Sequence, residues 1–154
     1  MTRIFLTLIL TLLPQFESGA PREPWTWPTV GPTPVVRAFD PPFNPWLAGH
    51  RGVDLDVPLG TTITSPADGK VVYAGKLVDR GVISIRHAGG IRSTFEPVDV
   101  LVSTGDFVAR GQAVAVVVEG HAPGSLHWGA KISSDEYVDP LRFVRGKIVL
   151  KPWD

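Results

Sequence analysis

Two short segments far apart in the chain contain residues that commonly bind transition metals. Residues 49–56 have the sequence GHRGVDLD and place His50 and Asp54 four positions apart. Residues 124–130 have the sequence GSLHWGA and contain His127. The chain has four histidines and no cysteine, so a transition metal must be held by histidine, aspartate or glutamate. The two segments are therefore candidate halves of one metal site.

The spacing of His50 and Asp54 constrains the backbone between them. Fully extended, four residues span roughly 13 Å, whereas ligands of one zinc ion each lie about 2 Å from it. The chain must bend, and Gly52 permits a bend. A helix would also bring the two residues together, but glycine and the β-branched Val53 disfavour it. A solvated loop histidine beside a strand aspartate is the alternative explanation of this spacing.

The segment around His127 is typical of a β-strand. Alternate residues of a strand share a face, so His127 and Ser125 point to one side while Leu126 and Trp128 point to the other. Taken alone, a strand histidine beside a tryptophan is more often a packed or surface residue than a ligand.

The elements that must position these residues predict an all-β fold. Segments rich in β-branched residues, separated by glycine-containing turns, indicate strands at residues 61–64, 70–74, 82–86, 91–95, 113–118 and 126–132. This regular spacing predicts an antiparallel β-sandwich or partly open barrel. Asp139 as cap and Pro140 at the first position predict one helical turn at residues 141–144.

The ends of the chain predict export and a tether. Arg3, an apolar run over residues 4–13 and small residues at 18–20 indicate a secretory signal peptide at residues 1–20. The apolar run is too short to remain as a membrane span. The proline-rich residues 21–34, which include Trp25 and Trp27, predict a linker. We expect the domain at 35–150 and a short tail at 151–154. The protein is thus expected to be secreted or in the bacterial cell envelope, without membrane contact beyond the signal peptide.

The charge balance excludes some partners. The chain has 15 basic and 15 acidic residues, so it lacks the overall positive charge typical of a nucleic-acid or anionic-membrane binder. We predict no nucleic-acid partner.

Five blocks of sequence, in order, resemble the lysostaphin-like zinc metallopeptidases, which cut peptide cross-links in bacterial peptidoglycan. The resemblance covers residues 43–144. HRGVD at 50–54 resembles the first metal motif of that family, and LHWG at 126–129 resembles the end of its H-L-H-F motif. The other matching blocks are SPADGKV at 65–71, VISIRH at 82–87 and GDFVARGQ at 105–112.

This resemblance implies a ligand set, a cofactor and a substrate class. It implies that His50, Asp54 and His127 bind one Zn²⁺ and that the partners are peptidoglycan peptides. Three protein ligands leave a fourth position for water, as a hydrolytic zinc site requires. His87, in the VISIRH block, is expected to be structural.

The sequence departs from the family at two positions where further histidines are expected. Pro97 stands at the first and Ser125 at the second. A serine hydroxyl can donate a hydrogen bond to an oxyanion but cannot shuttle protons near neutral pH. Glu96 is one candidate replacement base, although strand alternation would turn it away from the face of Pro97. His121 is another candidate acid, base or fourth ligand, and a free surface-loop histidine is the alternative.

Two functions from different classes follow. The first is a secreted zinc metalloendopeptidase acting on peptidoglycan, supported by the intact ligand set. The second is a weakly active or inactive domain that binds wall peptides or regulates a wall hydrolase, supported by Pro97 and Ser125. A biotinyl- or lipoyl-type carrier is disfavoured, because Lys76 lies in the sequence AGKL rather than in a carrier motif.

Overall fold

Antiparallel pairing organises nearly all of the chain that the computed structural model describes, which is residues 23–44, 46–122 and 124–144. The strands are β1 (Val35–Arg37), β2 (Gly52–Leu55), β3 (Thr62–Thr64), β4 (Gly69–Leu77), β5 (Arg80–His87), β6 (Arg92–Glu96), β7 (Val98–Val100), β8 (Phe107–Val108), β9 (Ala113–Val117), β10 (Leu126–Lys131) and β11 (Tyr137–Val138). A 3-10 turn at Ala88–Gly90 and the helical turn α1 (Leu141–Val144) complete the described elements.

The strands form two sheets with open-ended strand orders. The larger sheet has eight strands in the order β1-β2-β10-β6-β5-β4-β8, with β11 also paired to β10. The smaller sheet has the order β3-β9-β7. Buried residues of both sheets belong to one hydrophobic core. The predicted all-β antiparallel sandwich is confirmed, and each of the six predicted strands overlaps an observed one.

Trp128 lies at the centre of the core because of the alternation along β10. Leu126, Trp128 and Ala130 are buried, whereas His127 between them lies on the opposite face. Phe95 of the neighbouring strand β6 stacks on the Trp128 ring with centroids 5.9 Å apart. This pairing of large apolar side chains fixes which face of β10 is turned away from the core.

The segment predicted to be a linker packs against the domain along its described part. Trp25 is 2% exposed, and its indole lies 4.6 Å from the Phe143 ring and 6.3 Å from the Trp128 ring, between centroids. Its backbone N–H donates to the Phe143 carbonyl at 2.8 Å. The prediction of a linker is therefore corrected for the described part of this segment. Burial of the Trp25 indole stabilises the packed arrangement by more than the prolines destabilise it through lost backbone hydrogen bonds.

The C-terminal helical turn forms as predicted. The Leu141 backbone N–H donates to the Asp139 side-chain oxygen at 2.9 Å, which is the expected cap. None of the described helices has the length and apolar character needed to cross a bilayer. The predicted signal peptide (1–20) and tail (151–154) lie outside the described residues.

His87 is a structural histidine, as expected from the resemblance. It is 3% exposed, and its Nδ1 and Nε2 lie 3.0 Å from the Asp68 carbonyl and 2.7 Å from the Ser93 hydroxyl. A neutral ring satisfies both contacts, with Nδ1–H donating to the carbonyl and Nε2 accepting from serine. Burial lowers the pKa of His87 to about 4.

Replacing Trp25 by alanine should destabilise the fold by about 3–5 kcal/mol, because a buried indole is lost and a cavity remains. Denaturant titration of the variant measures the change in the free energy of unfolding. Trp46→Ala is the matched control, since Trp46 is 80% exposed. Equal midpoints for the two variants would show that Trp25 does not contribute to the core.

Acidification should destabilise the protein through His87. The unfolded ring takes up a proton near pH 6.5, whereas the folded ring does so only near pH 4. The neutral His87 ring therefore makes its full contribution to the free energy of unfolding above pH 6.5. This contribution is lost as the pH falls toward 4, and the loss is about 2 kcal/mol at pH 4.5. Denaturant titrations at pH 7 and 4.5 should show a smaller pH effect in His87→Gln. An identical pH effect in both proteins would contradict this assignment.

Candidate metal centre

Strand pairing brings the two predicted halves of the site together. In the register between β2 and β10, Asp54 lies directly opposite His127. His50 precedes β2 and is fixed by paired backbone hydrogen bonds with Asp40. The three side chains converge on the face of the sheet opposite the core.

Three potential ligand atoms meet at short range. His50 Nε2 lies 2.9 Å from Asp54 Oδ1, His127 Nδ1 lies 2.8 Å from the same oxygen, and the two ring nitrogens are 3.1 Å apart. Tetrahedral zinc with bonds of about 2.0–2.1 Å imposes ligand separations of roughly 3.3 Å. The observed spacing is close to that value. These three residues form a group of metal-binding geometry, and the predicted ligands are thus placed together.

The hydrogen bonds around this group favour a cation. His50 Nδ1 lies 2.7 Å from the Ala38 carbonyl, so it carries the proton and donates, which leaves a lone pair on Nε2 of the neutral ring. That lone pair faces a carboxylate oxygen and a second ring nitrogen. Asp54 Oδ2 is buried and has no hydrogen-bond partner. A bound metal ion would satisfy these atoms, so the residues present fit zinc.

The ionisation states suit metal binding. Burial opposes the charge on Asp54, but contacts with His127 and His121 and the attraction of nearby histidines outweigh it, so its pKa is below the usual value. Burial lowers the pKa of His127 because a charged imidazolium is disfavoured away from water. A carboxylate and a neutral imidazole are the ligand forms that zinc requires.

Gly52 has a different role from the bend predicted for it. It is the first residue of β2 and is buried. A Cβ at this position would lie 2.7 Å from both Cε1 and Nε2 of His127 and would overlap the Trp128 carbonyl oxygen. Glycine is therefore needed here to make room for the His127 ring.

His121 folds back onto the site. Its side chain is 19% exposed, and Nε2 lies 2.9 Å from Asp54 Oδ1. Nε2 is nevertheless buried without a hydrogen-bond partner, because the two atoms do not meet in hydrogen-bond geometry. His121 lies outside the group of three ligands, with its ring centroid 5.7 Å from that of His127. The alternative of a free surface-loop histidine does not describe this position.

Glu96 lies on the metal face. It pairs directly with His127 in the register between β6 and β10, and directly opposed residues share a face. The expectation that strand alternation would turn Glu96 away from the site is therefore wrong, because the register places Glu96, not Pro97, opposite His127. Arg80 Nε lies 3.0 Å from Glu96 Oε2. Sequence reasoning missed Arg80, because no motif connects it to the site.

The Ser125 side chain is hydrogen-bonded to the backbone of Val57. Its hydroxyl donates to the Val57 carbonyl and accepts from the Val57 N–H at 3.1 Å. The residue precedes β10, which begins at Leu126, so the alternation that aligned it with His127 stops before it. These two hydrogen bonds connect the residue before β10 to the segment that follows β2.

Comparison with known proteins identifies a family and several relatives of this chain. The model of "Peptidase family M23" matches residues 48–140. The uncharacterized protein Rv2891 of Mycobacterium tuberculosis is 37% identical over 99% of this chain and 64% of its own length. The murein hydrolase activator NlpD of Salmonella dublin is 32% identical over 83% of this chain and 33% of its own. The chain thus spans less than two thirds of these relatives.

Solved structures show the same fold. The catalytic domain of the antimicrobial peptidase lysostaphin from Staphylococcus simulans aligns with a TM-score of 0.62 and 23% identity, covering 73% of this chain and 92% of that one. The family match covers more than half of the chain and includes His50, Asp54, His121 and His127. The chain belongs to peptidase family M23.

Proposed function

We propose that this protein is a zinc-dependent endopeptidase that hydrolyses peptide cross-links of bacterial peptidoglycan in the cell envelope. The observation that carries the proposal is the convergence of His50 Nε2, Asp54 Oδ1 and His127 Nδ1 within 3.1 Å of one another. Three such ligands leave one coordination position open. Bound zinc would lower the pKa of a coordinated water and polarise the scissile carbonyl.

His121 is the best placed of the residues that can move protons. Its Nε2 is unpartnered and lies beside the ligand oxygen of Asp54, at 2.9 Å. Imidazole can take and give a proton near neutral pH. In this proposal His121 accepts a proton from the attacking water and returns it to the leaving amine, which is work that Ser125 cannot perform.

Glu96 is the second candidate for this role. It shares the face of His127, and its carboxylate is 25% exposed. The Arg80 guanidinium forms an ion pair with one oxygen of Glu96 at the edge of the site. In this proposal Glu96, held by Arg80, orients water or the substrate amide, and His121 carries the proton.

The predicted signal peptide and the relatives support an extracytoplasmic, peptidoglycan-directed role. NlpD is described as a murein hydrolase activator, and lysostaphin as an antimicrobial peptidase. Peptidoglycan peptides are the proposed partners.

A regulatory role is the second candidate function. It is favoured by the engagement of the Ser125 hydroxyl with Val57, which withdraws it from the metal face, and by the similarity to NlpD. Such a domain would keep the metal and the binding face without releasing fragments from the wall.

Replacing His127 by alanine should abolish stoichiometric zinc binding and cleavage together, because two ligands do not hold the ion for hydrolysis. Metal analysis and release of soluble fragments from purified peptidoglycan measure the two properties. Lys76→Gln, an exposed change on β4, is the control and should retain both. Zinc without fragment release in the wild type would support the regulatory function. Absence of zinc would refute the ligand assignment.

His121→Gln should retain zinc and lose cleavage by about 10²–10⁴-fold, because an amide cannot transfer the proton. Glu96→Gln should reduce cleavage less and also retain zinc. Comparing the rates of fragment release at equal zinc content separates the two residues. If Glu96→Gln loses more activity than His121→Gln, the carboxylate carries the proton.

A further inference from the structure

A row of positive side chains crosses the larger sheet at right angles to its strands. In the strand register Lys131 of β10 lies opposite Arg92 of β6, Arg92 lies opposite Arg86 of β5, and Arg86 lies opposite Lys70 of β4. Neighbouring strands are about 4.7–4.9 Å apart, so the four backbone positions span roughly 14 Å. We call these four residues the cationic row.

The cationic row shares a face with the metal centre. Along β10, His127 and Lys131 are four residues apart and therefore point to the same side. The flanking residues of the row, such as Ile85 and Ala130, are buried in the core on the other side. Between the two sites along β10 lies Gly129, which pairs with Thr94. No bulky side chain at these two positions separates the metal from the row.

The positive charges of the row are not neutralised within the described chain. Among the described residues, no ion pair joins a residue of the cationic row to an acidic side chain. Other arginines do form ion pairs, such as Arg80 with Glu96 and Arg110 with Glu23. Like charges directly opposite each other destabilise a sheet. Three such pairs in succession thus oppose folding, and an external anion would relieve them.

Aromatic rings stand at both ends of the row. The Lys70 ammonium lies 5.3 Å from the Phe107 ring centroid, and Lys131 lies 5.2 Å from that of Tyr137. Phe107 is 73% exposed. A cavity of about 900 Å³ lies at the Lys70 end of the row and is lined by Lys70, Arg86 and Phe107. Asp68 also lines this cavity, and its carboxylate accepts a hydrogen bond from the Arg110 backbone N–H.

The opposite end is less positive. Asp135 and Glu136 line a depression beside Tyr137, together with Arg51. The cavity at the Lys70 end is lined by one acidic residue, Asp68, so the positive charges of Lys70, Arg86 and Arg92 face fewer carboxylates than Lys131 does. A ligand that carries both negative charge and an extended backbone fits this end better than a small ion.

We propose that Lys70, Arg86 and Arg92 bind the free carboxylates of an acidic peptide chain lying across the sheet. Resting on the proposed function, this peptide is the carboxylate-bearing stem peptide of peptidoglycan whose cross-link reaches the metal centre. Arginine pairs with carboxylates through two parallel hydrogen bonds, and Phe107 packs against the aliphatic part of the chain. The row selects substrates that retain free carboxylates over those in which they are amidated.

The test uses the purified chain and two synthetic peptides, Ala-Glu-Glu-Ala and its uncharged counterpart Ala-Gln-Gln-Ala, at low ionic strength. Chemical-shift titration of the protein should give binding of the glutamate peptide only, with shifts centred on the row, and added salt should weaken it. Arg86→Gln should weaken binding by about tenfold or more, as expected for loss of a charged hydrogen bond. Lys76→Gln removes a charge of β4 outside the row and should bind as the wild type does.

Two further variants keep the outcome interpretable. Arg86→Gln should melt at the same temperature as the wild type or higher, because a like-charge contact is removed, and this excludes unfolding as the cause. His127→Ala should still bind the glutamate peptide, so failure of the metal proposal leaves this one standing. Equal binding of both peptides, or unchanged binding in Arg86→Gln, would overturn the proposal. Binding of inorganic polyphosphate without the glutamate peptide would overturn it in favour of a phosphate polymer.

Discussion

The register between β2 and β10 is the constraint on which the structure depends. It places Asp54 opposite His127 on one face and Val53 opposite Trp128 on the other. A slip of one residue would exchange the two faces, exposing the tryptophan and burying the histidine. The apolar core therefore holds the ligand geometry. Burial of Trp128 stabilises this strand pairing, so the pairing does not depend on a metal ion.

A comparison of His87 with the histidines of the metal face shows how the candidate site differs from ordinary packing. His87 has a hydrogen-bond partner on each ring nitrogen and needs nothing further. At the metal face, nitrogens of His50, His121 and His127 all lie within 2.9 Å of one oxygen of Asp54, while its other oxygen has no partner. One carboxylate oxygen cannot accept three well-directed hydrogen bonds. A cation bound between these atoms, as proposed, would relieve this crowding.

The sequence was sufficient for the strands with clear alternation and for the grouping of His50, Asp54 and His127. Five short strands, β1, β2, β7, β8 and β11, were not predicted, because segments of two to four residues carry too little alternation to show a period reliably. Trp25 was assigned to a linker because proline content was weighed above the burial of an indole. The position of Glu96 required the register with His127, and that of His121 required the path of a loop, so neither could be derived from spacing alone.

The same register relates the metal centre to the cationic row. Arg92, the nearest of the three proposed binding residues, lies opposite Lys131 on the neighbouring strand, which places it roughly 14 Å from His127 at strand spacing. An extended peptide covers that distance with about four residues of its own. Contacts at the row would thus lie several residues from the bond at the metal, where they can orient the substrate without touching the reacting atoms. Binding energy from such remote contacts can be used to hold the scissile amide in place. If the proposed peptidase activity holds, such positioning would add to the proton transfer assigned to His121 in a site where Pro97 and Ser125 stand at the positions of two expected histidines.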